Sequence, residues 1–261
     1  MTEWIAWLGV VLVVVPAALF YLLQHRIVFA PNYYPHRSIF LERANSYRLQ
    51  TLKADDRITL EGVVYEPEGS VVSTVLYFGG REQDSVALIG KFSLHYPQVR
   101  FIAFNYRGYG KSEGVPSCQS VYSDALKVYD AMRDEYGDIG VLGYSLGSSI
   151  AAHLGRHRRP KWIALVSSFS SVETLMKERL PVLPRFLVRC KYDTLSDLKE
   201  TLCPIYLFAS RDDAMVPLTH FNALKFGARN LAEAKEFSGY NHASLLFSEE
   251  LEAELKKVFG I

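Results

Sequence analysis

The sequence predicts an α/β fold: a mostly parallel sheet with helices on both faces, a small cap, and one N-terminal transmembrane helix. Three observations predict it. Short apolar runs between residues 73 and 237 alternate with helix-compatible stretches, the pattern of strands buried on both faces and joined by crossover helices. One of those runs leads directly into Gly143-Tyr144-Ser145-Leu146-Gly147, and a small-residue helical stretch follows it. At the other end of the chain, Trp4 to Leu23 is an unbroken apolar and aromatic segment without charge, long enough to span a bilayer.

That segment carries Trp4, Trp7 and Tyr21 where interfacial aromatics stand, and Pro16 is tolerated in a membrane helix. A cleaved signal peptide and a buried core helix are the alternatives. The first lacks its positive n-region and a small-x-small cleavage site, and Glu3 is acidic. Arg26, Arg37 and Arg43 follow the segment closely, so the positive-inside rule places the downstream domain in the cytoplasm. Residues 1–25 are thus expected to be a membrane anchor, 26–46 a tether over the domain or the lipid surface, and 47–261 the catalytic domain.

From Tyr47 the pattern becomes strand-like. Tyr47 to Leu52 and Ile58 to Tyr65 alternate and end in charged or Pro/Gly residues, as an antiparallel edge would. Strands are expected at 73–78, 99–105, 139–144, 162–166, 205–209 and 232–237, with helices near 84–96, 120–136, 218–226 and 245–259 and one directly after Ser145. Phe169 to Leu202 is too long for a plain connection and rich in apolar residues; it reads as a cap over the site.

Composition narrows the function. With 261 residues, 49% hydrophobic and a formal net charge of +1, the chain holds one sizeable core and has no basic excess with which to bind nucleic acid. Cys118, Cys190 and Cys203 are odd in number and lack CxxC or metal-ligand spacing, which predicts thiols in a reducing compartment, with no disulfide framework and no metal site. Arg107-Gly108-Tyr109-Gly110-Lys111-Ser112 lacks the spacing of a phosphate loop, so its glycines are read as shaping a turn and Arg107 as part of a structural network.

A G-x-S-x-G pattern arises by chance in about one chain in ten of this length, so its context decides. A serine on a sharp strand-to-helix turn exposes its hydroxyl, but it attacks only if a base takes its proton and a carboxylate orients that base. Both partners are expected after the serine, just past strand ends. The strand 205–209 runs into Asp212-Asp213, and the strand ending at Phe237 runs into Asn241-His242. Of the seven histidines only His242 follows a late strand. Only one of the adjacent aspartates can point at it; the other would be solvated or cap the next helix.

The chain resembles the α/β-hydrolase superfamily, and within it the membrane-anchored abhydrolase-domain serine hydrolases related to the bud-emergence-suppressor family. The resembling residues are Tyr77-Phe78-Gly79-Gly80, the run from Phe104 to Gly114, Gly143 to Gly147, Asp213-Ala214-Met215-Val216-Pro217 and Asn241-His242. The resemblance implies Ser145 as nucleophile, His242 as base and Asp213, four positions before the proline, as the acid. The backbone N–H groups of Leu146 and Gly80 are the candidate oxyanion hole. The usual His-Gly-Asn-Ala loop is replaced by Phe78-Gly79-Gly80-Arg81. The expected function is a cofactor-independent serine hydrolase acting on a carboxylic ester or thioester, with a small-molecule or acyl-lipid substrate. An aminopeptidase, which would need an acidic pocket for a substrate amine, and a non-catalytic membrane adaptor, in which Ser145 and His242 would lie apart, are the alternatives.

Overall fold

The computed structural model describes residues 2–33 and 46–261; side chains before residue 14 are described only for Leu12. Among the described residues the sheet has eight strands in the order β1-β2-β4-β3-β5-β6-β7-β8. These are β1 (Tyr47–Asp55), β2 (Ile58–Tyr65), β3 (Ser73–Phe78), β4 (Val99–Phe104), β5 (Gly140–Tyr144), β6 (Ile163–Val166), β7 (Ile205–Ser210) and β8 (Leu231–Phe237). β1 and β2 form the antiparallel edge, and every pairing from β4 to β8 is parallel. Each strand falls within a residue or two of its expected range, apart from β1, which runs three residues further. β3, β5 and β6 are buried throughout, as their mostly apolar sequences predict.

Alternate side chains of each central strand feed the core on opposite faces of the sheet. Leu76, Ile102, Val141 and Leu165 face α3 (Cys118–Tyr136) and α4 (Leu146–His157). Val75, Phe101, Leu142 and Ala164 face α2 (Ser85–His95) and the closing helix α9 (Glu249–Phe259). Between β6 and β7 lie α5 (Val172–Arg179), a 3₁₀ turn at Arg185–Leu187 and α6 (Thr194–Glu200); α7 (Leu218–Gly227) follows β7, and the short α8 (His242–Leu245) follows β8. The expected cap over 169–202 is therefore only partly a cap. α6 packs with α4 and α7 in the layer that covers the sheet.

The N-terminal segment departs from expectation. A helix, α1 (Thr2–Val28), does run through it with Pro16 inside. Among the described residues, however, no helix is long and apolar enough to cross a membrane. Of the transmembrane helix expected over 4–23, the side chains of 4–11 and 13 lie outside the described residues, and no span is found among those described; its far end does not emerge into a free tether. Gln24, Val28 and Phe29 are buried against the domain, and Phe29 meets Tyr192 edge-on at 6.3 Å. The middle of the expected tether, residues 34–45, with Arg37 and Arg43, lies outside the described residues.

Cysteine usage is the second correction. Cys118, the first residue of α3, is bridged to Cys190 beyond the 3₁₀ turn, with 5.6 Å between Cα atoms and 72 residues between them in sequence. No spacing rule marks a pair so far apart. Disulfides persist in oxidising compartments, so the bridge departs from the reducing compartment expected from three scattered cysteines. Cys203 is free and buried, and burial pushes its thiol up to about 11, which keeps it out of exchange. Closing a loop of this length is worth about 4 kcal/mol. A Cys118→Ser variant should therefore melt about 10 °C lower than the unaltered chain, and reductant should lower the melting temperature of the unaltered chain alone. Equal melting of both proteins under non-reducing conditions would rule the bridge out.

Candidate active site

β5 ends at Tyr144, and α4 begins at Leu146. Ser145 between them sits at φ 52° and ψ −115°, a left-handed conformation that costs a non-glycine residue about 1–3 kcal/mol. Tight surroundings enforce this turn. A Cβ on Gly143 would stand 2.5 Å from the Gly147 carbonyl oxygen, and one on Gly147 would stand 2.0 Å from that of Phe78. The two glycines of the motif therefore let helix, turn and β3 pass one another at contact distance, and Ser145 is pushed out above the sheet.

The loop after β7 brings in the acid. Asp213 is buried; its Oδ1 accepts the N–H groups of Met215 (2.8 Å) and Val216 (2.9 Å), and its Oδ2 lies 2.6 Å from His242 Nδ1. Burial alone would push this carboxyl up, but the His242 ring and the two backbone N–H groups outweigh it and hold the carboxyl below its ordinary range. His242 opens α8, where Asn241 caps the helix by accepting from Ala243 N (3.1 Å) and Ser244 N (2.9 Å). The Tyr144 hydroxyl donates to the His242 carbonyl at 2.9 Å, tying the histidine to the end of β5. His242 Nε2 then stands 2.9 Å from Ser145 Oγ. An ionised Asp213 can only accept, so Nδ1 donates to it and Nε2 is left to accept the Ser145 hydroxyl proton.

Ser145, Asp213 and His242, expected to converge, thus meet in one chain of hydrogen bonds. Asp212 caps no helix; it is exposed, as one of the two expectations had it, and its Oδ2 accepts Gly239 N–H at 2.6 Å, which steadies the turn that carries His242. The other described histidines with polar partners stand elsewhere. His220 is buried, with Nδ1 accepting from Ser170 N at 3.1 Å and Nε2 3.0 Å from Glu178, while His95 pairs with Glu252 at 2.6 Å. Arg107 is clamped between Asp124 (2.6 and 2.8 Å) and Asp55 (2.9 Å), which makes the glycine run around it a structural turn.

The candidate oxyanion donors divide. Leu146 is the first residue of α4, and its N–H is one of the four that a helix leaves without an internal acceptor. Gly80 passes close to the serine, since a Cβ built on it would lie 3.5 Å from Ser145 Cβ. Its N–H, however, is given to Gln83 Oε1 at 2.7 Å, and the same oxygen accepts the Tyr77 hydroxyl at 2.6 Å. In this arrangement Gly80 is not presented to an oxyanion, because Gln83 closes its own loop through that donor. Sequence reasoning missed Gln83; only its place three residues after Gly80 hinted at a turn-closing side chain.

A cavity of about 840 Å³ opens over Ser145 and His242. Phe169, Val172, Leu175 and Met176 line it from the β6 end and the cap, Met215 and Val216 from the acid loop, and Leu19, Phe20, Leu23 and Ile27 from α1. Among the described residues its charged lining is Arg26, Arg81 and Arg179 against Glu82. Glu82 is itself paired with Arg81 at 2.8 Å.

Comparison with known proteins agrees with this architecture. The family model Hydrolase_4, described as serine aminopeptidase S33, matches residues 93–204. The alpha/beta hydrolase domain-containing protein WAV2 of Arabidopsis thaliana is 31% identical over 148 residues, 48% of either chain. The lysophosphatidylserine lipase ABHD12 of Macaca fascicularis is 26% identical over 190 residues, 61% of this chain and 48% of that one. The chain thus spans about half the length of the curated relatives it matches. Among solved structures, an alpha-beta hydrolase from Vibrio vulnificus superposes with a TM-score of 0.74 at 19% identity over 91% of both chains. The Pyrococcus furiosus esterase Pf2001 gives 0.67 at 17% identity over 89% of this chain and 95% of that one. With its mostly parallel eight-stranded sheet and a strained serine between strand and helix, the chain has the α/β-hydrolase fold.

Proposed function

We propose that the protein is a serine hydrolase that cleaves a carboxylic ester or thioester through an acyl-enzyme. The observation that carries this reading is the relay from Asp213 to His242 to Ser145, at 2.6 and 2.9 Å, beneath a largely apolar cavity. Ser145 Oγ attacks the acyl carbon while His242 Nε2 takes its proton. The oxyanion that forms is received by the Leu146 N–H at the start of α4, and by Gly80 once its N–H leaves Gln83. Collapse expels the alcohol or thiol, which takes the proton back from His242. Water, deprotonated by His242 in turn, releases the acid and restores Ser145.

An acyl chain suits the apolar lining, and the arginines suit an anionic group near the scissile bond. A lysophosphatidylserine lipase similar in sequence and an esterase similar in fold point the same way. Exposed Val182 and Phe186 on the cap, with the apolar run of α1, suit attachment at a lipid surface. The aminopeptidase reading needs acidic groups to receive a substrate ammonium, and a lining of three arginines and one paired glutamate repels it. An adaptor would not need Ser145 Oγ within 2.9 Å of the histidine.

The test is a panel of nitrophenyl esters, acyl thioesters and aminoacyl anilides, with active sites counted by a fluorophosphonate probe. Turnover of esters or thioesters, with little or none of the anilides, is expected. Anilide turnover exceeding ester turnover would establish the peptidase instead.

A further inference from the structure

We propose that the docked end of α1 is part of the substrate site: Leu19, Leu23 and Ile27 form the wall against which a bound acyl chain lies. The N-terminal helix then sets chain-length preference. This rests on the hydrolase reading of Ser145.

The three residues recur every four positions and so form one stripe along the helix. All three line the cavity that holds Ser145 and His242. They are 51%, 42% and 47% exposed, whereas Gln24 and Val28 on the adjoining face are 3% and 6% exposed. One side of the helix end is therefore packed, and the next is an open apolar surface turned to the reaction centre. Phe169, Val172, Leu175 and Met176 stand among the lining of the same cavity, so a chain between the two sets is covered on both sides. Each methylene buried in such a slot raises affinity about fourfold.

The register of this wall is fixed by polar bonds. A buried amide needs partners for both ends. Gln24 Nε2 donates to the Leu187 carbonyl at 2.9 Å, and its Oε1 accepts Arg189 N–H at 2.6 Å. The Arg189 guanidinium lies 4.8 Å from the centre of the Tyr21 ring. Past the helix end, Ala30 N–H reaches the Tyr109 hydroxyl at 3.0 Å. Gln24 thus pins α1 to the segment that the Cys118–Cys190 bridge ties to α3. A helix serving only to tether the domain has no need of a buried amide that sets its rotation.

The experiment compares full-length Leu23→Trp and Leu23→Ala with the unaltered chain, reading the ratio of kcat/KM for a decanoyl over an acetyl nitrophenyl ester. Filling the slot with tryptophan should lower that ratio at least tenfold, and alanine should lower it about fourfold or more by removing contact. Leu22→Trp, at an exposed position outside the cavity, is the control and should leave the ratio within twofold of the unaltered chain. Gln24→Leu, which releases the helix, should lower it as tryptophan does. An unshifted ratio in Leu23→Trp and Leu23→Ala, or an equal shift in Leu22→Trp, overturns the proposal. Loss of all ester turnover and fluorophosphonate labelling from the unaltered chain would instead count against the hydrolase reading itself.

Discussion

Replacing Ser145 by alanine is expected to lower kcat for ester hydrolysis about a million-fold, since nucleophile and base act as one unit. Fluorophosphonate labelling should vanish with it. The Ser145 hydroxyl bonds His242 Nε2, and no packing in the core depends on it, so the melting temperature should move by only a few degrees. A Ser145→Ala, His242→Ala double variant should be no slower than either single one, because a base with no nucleophile to serve contributes nothing. Persistent labelling of Ser145→Ala, or a loss under a hundredfold, would mean that another group makes the acyl bond. Ser170, the other serine bonded to a histidine among the described residues, would be the next to examine, but its hydroxyl is buried beside His220 Nδ1 at 2.8 Å.

Much of the fold was legible because its signals are local. β3, β5 and β6 are mostly apolar and buried at every position, Ser73 and Thr74 at the start of β3 included, and a strand needs no distant partner to announce such a run. The order of serine, acid and histidine was legible for the same reason, since each follows a strand end. What stayed hidden depends on residues far apart in sequence. The bridge from Cys118 to Cys190 crosses 72 residues with no spacing to betray it. Gln24 reads in sequence as the polar end of an apolar run; only the fold shows that its amide is spent on the backbone at Leu187 and Arg189. Gly80 was a candidate oxyanion donor through the family resemblance of its loop, but which acceptor an N–H takes is settled by a side chain, Gln83, whose rotamer no pattern encodes.

The adjacent aspartates give the sharpest separation of roles. Asp213→Asn should lower kcat about ten-thousand-fold without unfolding the protein. An amide at this position can present its NH₂ to His242 Nδ1, which would then have to accept; Nε2 would carry the proton and could no longer take one from Ser145. Asp212→Asn keeps an oxygen to accept Gly239 N–H and touches neither His242 nor Ser145, so its kcat should stay within a few-fold. Acid stability tests Asp213 in a second way. Because the folded Asp213 carboxyl lies below its ordinary value of 3.8, its contribution is fully present above that value and is lost as pH falls through the folded one. Melting curves taken between about pH 2 and 6 should therefore show a shallower acid limb in Asp213→Asn than in the unaltered chain. Equal kcat losses in the two variants would mean that the aspartates act jointly on the turn, and that the 2.6 Å bond to His242 is not what orients the base.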